Sequence, residues 1–246
     1  MEYNPNQPTS QRDDYLYMVQ ILDQTDRRQD MVDLMKKVID LNPELNADER
    51  NWLSVAYKNI ITIRRNGLRV LLAILEHDDN PDNKNRIEQL EMFKSTLIEE
   101  LDKYCYELID LVDTKLLPAA QNAEAQLFYE KLKADYYRYI SEAKDGEKKD
   151  EIAKKAKECY EKALEIAKDE IPPYKPSYLG LILNYSVYLY EIVGQTEEAI
   201  KLAKNTQEEV KSSIEQNSES SFAEANTILQ LLQENVNLWD PPQTSQ

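Results

Sequence analysis

The chain has 246 residues, of which 41% are hydrophobic and 31% are charged, a composition typical of a globular protein with long charged helix faces. Its net charge of −16 at pH 7 argues against general nucleic-acid binding, because most of the surface repels a phosphate backbone. Only 4 glycines are present, which disfavours tight hairpins and glycine-rich phosphate loops, and we expect helices joined by short connections.

The predicted helices follow from apolar residues that recur every three or four positions along almost the whole chain. No segment alternates apolar and polar residues as a strand does, so we predict an all-α protein. Prolines and the few glycines separate nine predicted helices, at 15–24, 30–41, 46–76, 83–117, 122–143, 148–169, 176–193, 196–216 and 221–239. Asn46, with Glu49 three residues later, predicts a capping box at the start of the third helix.

The sequence predicts a single domain in the cytosol. No linker is long enough to separate two domains, so we expect one domain over 1–239, with 1–13 flexible and 240–246 forming a short disordered tail. The N-terminus is polar and acidic, and no run of about eighteen apolar residues occurs, so we expect neither a secretory signal nor a transmembrane helix. Cys105 and Cys159 fall on apolar helix stripes, which indicates reduced core cysteines.

Residue types with catalytic chemistry are sparse. His77 is the sole histidine, and beside Asp78 and Asp79 in a charged turn it is interpreted as a solvated side chain. The two cysteines are 54 positions apart, so no zinc-binding spacing exists. No Gly-rich phosphate loop, nucleophile elbow or Cys–His pairing is present. We therefore predict no enzyme, no cofactor and no metal site.

Basic residues line one face of the third predicted helix. Lys58, Arg65 and Arg69 are spaced by seven and then four, which places them within roughly 40° of one another at about 100° per residue. Such a face suits an anionic ligand, because guanidinium groups bind phosphate through paired hydrogen bonds and Lys adds a point charge.

The fifth predicted helix repeats this spacing. Lys131 and Arg138 are seven apart, and Tyr139 adds a hydroxyl next to Arg138. Two such helices that converge are able to bind one dianion. The alternative left open by the residues alone is that these cations pair with local carboxylates, such as Asp135 three residues before Arg138.

Two later helices embed an asparagine in an apolar stripe. In the seventh, Leu183 and Val187 lie one turn apart, and Asn184 and Glu191 lie on a neighbouring strip. In the ninth, one face carries Ile228, Leu231, Asn235 and Leu238, with Trp239 beside them. A buried amide needs hydrogen-bond partners, which the main chain of an extended peptide would supply. Solvent or a hydrogen bond within the core is the alternative.

These segments resemble the 14-3-3 family. RNWLSVAYKNI (50–60) is similar to the family's first hallmark, with Trp52 in place of the usual Leu. FYEKLKADYYRYI (128–140) and LGLILNYSVYLYEI (179–192) match closely, and ILQLLQENVNLW (228–239) matches more loosely. Several long motifs in the family's order make this a specific resemblance over nearly the whole chain.

The resemblance implies nine antiparallel helices in a single right-handed, cup-shaped bundle, and an adaptor that clamps, masks or bridges phosphorylated client proteins. The phosphate of a phosphoserine or phosphothreonine peptide then falls on Lys58, Arg65, Arg138 and Tyr139. The implied peptide-binding residues are Lys131, Leu183, Asn184, Val187, Glu191, Ile228, Leu231, Asn235, Leu238 and Trp239. Thr227 stands where the family usually has Leu, which bears on selectivity for residues that flank the phosphate.

The resemblance also implies a homodimer. Its interface positions are Ile21, Thr25, Arg27, Leu68, Phe93 and Glu100, where Arg27 and Glu100 resemble a cross-subunit salt bridge. A second salt bridge of the family is lost, because Asp30 stands opposite Thr96 rather than a Lys. Separately, Gly67 stands where many relatives carry a phosphorylatable Ser. The alternative function is a helical-repeat, TPR-like scaffold that binds acidic C-terminal peptides, because the helices at 154–168 and 197–209 resemble helical-repeat hairpins.

Overall fold

The computed structural model describes residues 10–77, 84–215 and 222–240, and every regular element in these ranges is helical. Nine helices lie in the described ranges: α1 (Gln11–Gln24), α2 (Arg28–Leu41), α3 (Ala47–His77), α4 (Lys84–Leu111), α5 (Ala123–Glu142), α6 (Gly146–Glu170), α7 (Pro176–Tyr188), α8 (Thr196–Glu215) and α9 (Phe222–Trp239). Wider turns extend two of them, α4 through Val112–Leu116 to Leu117–Ala119, and α7 through Leu189–Val193. The predicted all-α class and helix order are confirmed.

Helix starts follow local capping chemistry. The N–H of Asp13 donates to the side chain of Ser10 at 3.2 Å, and the N–H of Ser10 donates to the Asp13 carboxylate at 3.1 Å. This reciprocal pair starts α1 four residues before the position that the apolar periodicity predicts. At α3, Asn46 and Glu49 make the predicted capping box, with bonds of 3.0 and 3.1 Å.

Some predicted features lie partly or wholly outside the described residues. The sequence predicts that the segment 1–13 is flexible. Its residues 1–9 lie outside the described residues, and Gln11 to Asp13 belong to α1. Of the predicted tail, residues 241–246 are outside. His77, predicted to sit in a turn, is exposed as the last residue of α3, and Asp78 and Asp79 beside it are not described.

The chain divides into two compact units, Met1–Ala120 (the N-terminal unit) and Gln121–Gln246 (the C-terminal unit). The prediction of one domain over 1–239 stays a prediction. In the N-terminal unit α1 packs on α2 and α3, and α3 packs on both α2 and α4. Met31, Met35 and Val38 of α2 are fully buried at spacings of four and three, as expected for an amphipathic helix that turns one stripe to the core.

The C-terminal unit contains two core clusters. The first, named the α5–α6–α7 cluster, includes Ala134 of α5, Ala156 and Ala163 of α6, and Leu181 of α7, all with no exposed surface. These small alanines allow α5 and α6 to pack closely along their lengths. The second, named the α7–α8–α9 cluster, contains Leu179, Ile182, Ala203, Val210, Ala225, Leu232 and Val236.

Both cysteines are buried and neither is in a disulfide, as predicted. A membrane-spanning helix is not found within the described ranges, because none of their helices is both long and apolar enough.

Candidate functional site

The four residues predicted to bind phosphate lie on two helices, one in each unit. Lys58 and Arg65 belong to α3 in the N-terminal unit, where Lys58 is exposed and Arg65 is half-buried. Arg138 and Tyr139 belong to α5 in the C-terminal unit, where Arg138 is buried and Tyr139 is half-buried. That all four bind one phosphate stays a prediction.

The two consecutive arginines of α3 differ in role. Arg64 Nε donates to Glu100 Oε2 at 2.9 Å, and its guanidinium carbon lies 5.0 Å from the ring centre of Tyr104. Arg64 therefore ties α3 to α4. Successive helical residues point about 100° apart, so Arg65 leaves α3 from another face, which it shares with Lys58.

Arg138 is held by three side chains of the C-terminal unit and is only 6% exposed. Its Nε donates to the Tyr160 hydroxyl at 3.4 Å, and its Nη1 donates to Glu142 Oε1 at 3.1 Å. Its Nη2 lies 3.9 Å from Asp135 Oδ1. Pairing with local carboxylates, the alternative left open by the sequence, is therefore observed. A guanidinium carries five N–H donors, so these bonds do not use all of its capacity.

Tyr139 covers the guanidinium of Arg138. The guanidinium carbon lies 4.7 Å from the centre of the Tyr139 ring, within the range of a cation–π contact. Burial opposes the charged form of Arg138, but the surrounding Tyr160, Tyr139 and Asp135 outweigh it and raise the pKa of the guanidinium above its ordinary value. Arg138 is therefore a permanent cation in a fixed orientation.

Asp135 is the centre of a hydrogen-bond network in the C-terminal unit. The residue is 5% exposed, and its carboxylate accepts bonds from Lys131 Nζ at 2.8 Å and from the Tyr160 hydroxyl at 2.6 Å. The Tyr160 ring stacks on Tyr185, with ring centres 5.1 Å apart. The sequence indicates Asp135 only as a partner of Arg138. No local pattern indicates Tyr160, because Tyr160 and Asp135 are 25 residues apart.

The side-chain amide of Asn184 bonds to the same carboxylate. Its Nδ2 donates to Asp135 Oδ1 at 2.9 Å and to Oδ2 at 2.8 Å. Asn184 is half-buried, and one of the two alternatives for its amide, a hydrogen bond within the protein, is observed for the N–H group. Lys131 lies beside the same edge of α7, because a Cβ atom added at Gly180 would be 3.8 Å from Lys131 Cε. Three residues predicted to bind the ligand, Lys131, Arg138 and Asn184, thus surround Asp135.

The apolar residues predicted to contact the peptide are named here the apolar wall, and they are Leu183, Val187, Ile228, Leu231 and Leu238. Some of them pack in the core and others lie at the surface. Leu183 and Ile228 are half-buried and pack against the α7–α8–α9 cluster. Val187 is half-buried and joins neither the α5–α6–α7 cluster nor the α7–α8–α9 cluster. Leu231 and Leu238 of α9 are 43% and 73% exposed. Val187, Leu231 and Leu238 therefore keep apolar surface for a ligand.

The end of α7 and the end of α9 meet through aromatic rings. Trp239 stacks on Tyr190, with ring centres 4.7 Å apart. Tyr190 lies in the wider turn Leu189–Val193, which ends at Gly194 with φ of 74°, a left-handed conformation that glycine adopts readily. Glu191 in this turn is exposed, and Asn235 of α9 is half-buried. Tyr190 is not among the site residues predicted from the sequence.

The predicted interface residues of the N-terminal unit have varied environments. Ile21 is half-buried, Thr25 and Arg27 are exposed, Leu68 is buried, Phe93 is 54% exposed and Glu100 is half-buried. Arg27 pairs with Asp30 of its own chain, and Glu100 pairs with Arg64 at 2.9 Å. The Thr25 hydroxyl donates to the carbonyl of Ile21 at 2.8 Å.

The part of the chain that the structure describes has no group of three or more His, Cys, Asp or Glu residues that could hold a metal ion. A cavity of about 550 Å³ is lined by Gln121, Asn122, Ala123, Gln126, Glu165, Ile166, Asp169 and Glu170, none of them a predicted site residue.

Comparison with known proteins identifies relatives along most of the chain. A family model described as 14-3-3 protein matches residues 18–240. The "checkpoint signal transducer rad24" of Schizosaccharomyces pombe is 38% identical over 231 residues, which are 94% of this chain and 86% of that protein. The "14-3-3-like protein GF14 iota" of Arabidopsis thaliana is 37% identical over 229 residues, 93% of this chain and 85% of that protein. The "14-3-3 protein 3" of Entamoeba histolytica is 36% identical over 228 residues, 93% of this chain and 95% of that protein.

Proposed function

The chain belongs to the 14-3-3 family, whose members are non-enzymatic adaptors that bind phosphorylated proteins in signalling, and from this premise we propose how it binds them. The phosphate of a phosphoserine or phosphothreonine segment is bound by Arg138 and Tyr139 of α5 together with Lys58 and Arg65 of α3. The alternative of a helical-repeat scaffold is no longer favoured, because the family match includes 154–168 and 197–209, the helices that suggested it.

The environment of Arg138 carries this proposal. Its guanidinium is buried, permanently charged and oriented by Tyr160, Glu142 and the ring of Tyr139. Because the folded protein already keeps this cation away from most solvent, a phosphate oxygen that reaches it gains a stronger electrostatic interaction than at an open surface. An unphosphorylated segment leaves the cation without that partner, which is the physical source of discrimination.

The C-terminal unit supplies the rest of the peptide-binding residues. Asn184 and Asn235 bond to the peptide main chain, and Lys131 and Glu191 lie farther along the peptide. Val187, Leu231 and Leu238 contact its apolar side chains, and the surface that they expose supports this assignment. Leu183, Ile228 and Trp239 complete the wall while also packing within the unit.

The protein is further proposed to act as a cytosolic homodimer. Large apolar side chains remain exposed on α3 and α4, with Ile63 at 66%, Val70 at 59%, Met92 at 66% and Phe93 at 54%. Apolar patches of this kind mark interaction surfaces. A dimer carries two phosphopeptide sites, so a client with two phosphorylated segments is bound with higher avidity and is clamped or bridged. The reduced cysteines support a cytosolic location.

The test is a titration of a fluorescent phosphoserine peptide and its unphosphorylated twin, followed by fluorescence anisotropy. We expect the protein to prefer the phosphorylated peptide and Arg138→Ala to weaken its binding at least about tenfold, because a charge-assisted hydrogen bond contributes roughly 1.5–3 kcal/mol. Lys157→Ala is the matched control, because it removes a cation from α6 that pairs only with Glu161 at 3.7 Å among the described residues. Equal affinities for the twin peptides would refute the proposed function.

A further inference from the structure

The Asp135–Asn184 contact restricts how Asn184 meets a ligand. Both oxygens of the Asp135 carboxylate accept from the same nitrogen, Asn184 Nδ2, at 2.9 and 2.8 Å. An ionised carboxylate only accepts hydrogen bonds, so the amide oxygen of Asn184 cannot take the place of Nδ2 without repulsion. The orientation of the amide is therefore set by chemistry, and its Oδ1 is not the atom that contacts Asp135.

Asp135 itself is held in place by its other partners. Lys131 Nζ and the Tyr160 hydroxyl donate to it at 2.8 and 2.6 Å, and Tyr160 is fully buried in the α5–α6–α7 cluster. Burial raises the pKa of Asp135, but the positive charges of Lys131 and Arg138 lower it further, so the pKa lies below its ordinary value. The carboxylate is therefore ionised at neutral pH, as the acceptor role requires.

We propose that Asp135 is a positioning residue that determines which atom of the Asn184 amide is left to bind the peptide. By holding Nδ2 of Asn184 it leaves Oδ1 as an acceptor, and no described residue donates to that oxygen. Oδ1 then selects a main-chain N–H of the bound segment. The site accordingly rejects a segment with proline, or with an N-methylated residue, at the position opposite Asn184. This inference rests on the proposed phosphopeptide function.

Simple electrostatics predicts a different result for loss of Asp135. Removal of a carboxylate 3.9 Å from Arg138 makes the surroundings more positive and strengthens binding of any phosphopeptide. Loss of a positioning residue instead removes the distinction between a free N–H and a blocked one. The ratio of affinities for a plain and an N-methylated phosphopeptide separates the two effects, because a uniform change in charge cancels in the ratio.

The experiment uses a set of phosphoserine peptides that are N-methylated at one backbone position at a time. For the unaltered protein we expect one position at which methylation weakens binding about tenfold or more. In Asp135→Asn the new amide donates as well as accepts, so the Asn184 amide is free to turn, and the ratio at that position should fall below about threefold. Asn184→Ala should lose the discrimination to the same extent, and the double variant should lose no more.

Glu130→Gln is the matched control, because it neutralises another buried carboxylate of α5, which pairs with Lys133 and Lys162 rather than with Asn184. Its N-methyl ratio should stay that of the unaltered protein. Asp135→Ser is a second substitution, so the result does not depend on the fold of a single variant. A ratio preserved in Asp135→Asn and Asp135→Ser would overturn the positioning role, as would an unaltered protein that is insensitive at every position. Loss of preference for phosphorylated over plain peptide would instead show that the proposed function fails.

Discussion

Arg12 on α1 binds Glu49 on α3 through two parallel hydrogen bonds, from Nη1 to Oε1 at 2.9 Å and from Nη2 to Oε2 at 2.8 Å. Glu49 is 4% exposed and also belongs to the capping box that starts α3. This pair therefore fixes the first turn of α1 against the start of α3 inside the N-terminal unit. Because the predicted interface positions Ile21 and Thr25 lie in the last turn of α1 and at its C-cap, the position of α1 also affects the proposed dimer.

Arg12→Ala should destabilise the protein, because it leaves a buried carboxylate without its cation. The free energy of unfolding should fall by about 3 kcal/mol. It is measured by urea denaturation, with circular dichroism as the signal. Lys157→Ala is the control, since its pair with Glu161 is exposed and its loss should change stability by less than about 1 kcal/mol. Similar losses in the two variants would show that the Arg12–Glu49 pair does not hold α1.

Val187→Asp should abolish most phosphopeptide binding and leave the melting temperature nearly unchanged. Val187 is half-buried and joins neither the α5–α6–α7 cluster nor the α7–α8–α9 cluster, so its substitution should remove ligand contacts rather than core packing. The new carboxylate also repels the phosphopeptide. Peptide titration and a thermal melt, both repeated with Val193→Asp at an exposed site near the end of α7, measure the two effects. An affinity loss as large in Val193→Asp would place the wall elsewhere.

Phe93→Glu should convert the proposed dimer into monomers. Phe93 is 54% exposed within the chain, so a glutamate there leaves the fold of the protomer intact and places a charge in the apolar contact. Light scattering across a dilution series should give twice the 28.7 kDa of one chain for the unaltered protein and 28.7 kDa for the variant. Leu41→Glu, on the exposed end of α2, is the control and should stay dimeric. Monomeric unaltered protein at micromolar concentration would refute the dimer.

Acidification should reveal the ionised state of Asp135. Its pKa in the folded protein lies below the ordinary 3.8, because Lys131 and Arg138 outweigh the effect of burial. A carboxyl group with a lowered folded pKa stabilises the protein above its unfolded pKa, and that contribution is lost as the pH falls through the folded pKa. Asp135→Asn lacks this contribution at every pH, so its free energy of unfolding should fall less steeply between about pH 5 and pH 2. Asp110→Asn, at an exposed position on α4, should keep the steep dependence of the unaltered protein.

Family, helix order and the list of candidate residues could all be read from the sequence. Amphipathic stripes, prolines and the Asn46–Glu49 capping pattern act over a few residues, so they predict where helices lie without knowledge of their neighbours. The early start of α1 at Gln11 was missed because a polar first turn carries no apolar periodicity, although Ser10 and Asp13 form a local cap. Local chemistry therefore determined most of the secondary structure.

Tertiary packing decided the long-range partners of the candidate side chains. Arg12 and Glu49 are 37 residues apart and Asp135 and Asn184 are 49 apart, so no local spacing predicts either contact. Both contacts exist because particular helix faces pack together, and burial there makes an unpaired charge or amide costly. The sequence by itself determined a helical 14-3-3 chain with Arg138 and Asn184 as candidates. Only the packing of α5 against α6 and α7 decided that Asp135 contacts Asn184 and that Tyr160 bonds to Arg138, whereas Glu142 is a local partner of Arg138 on α5 itself.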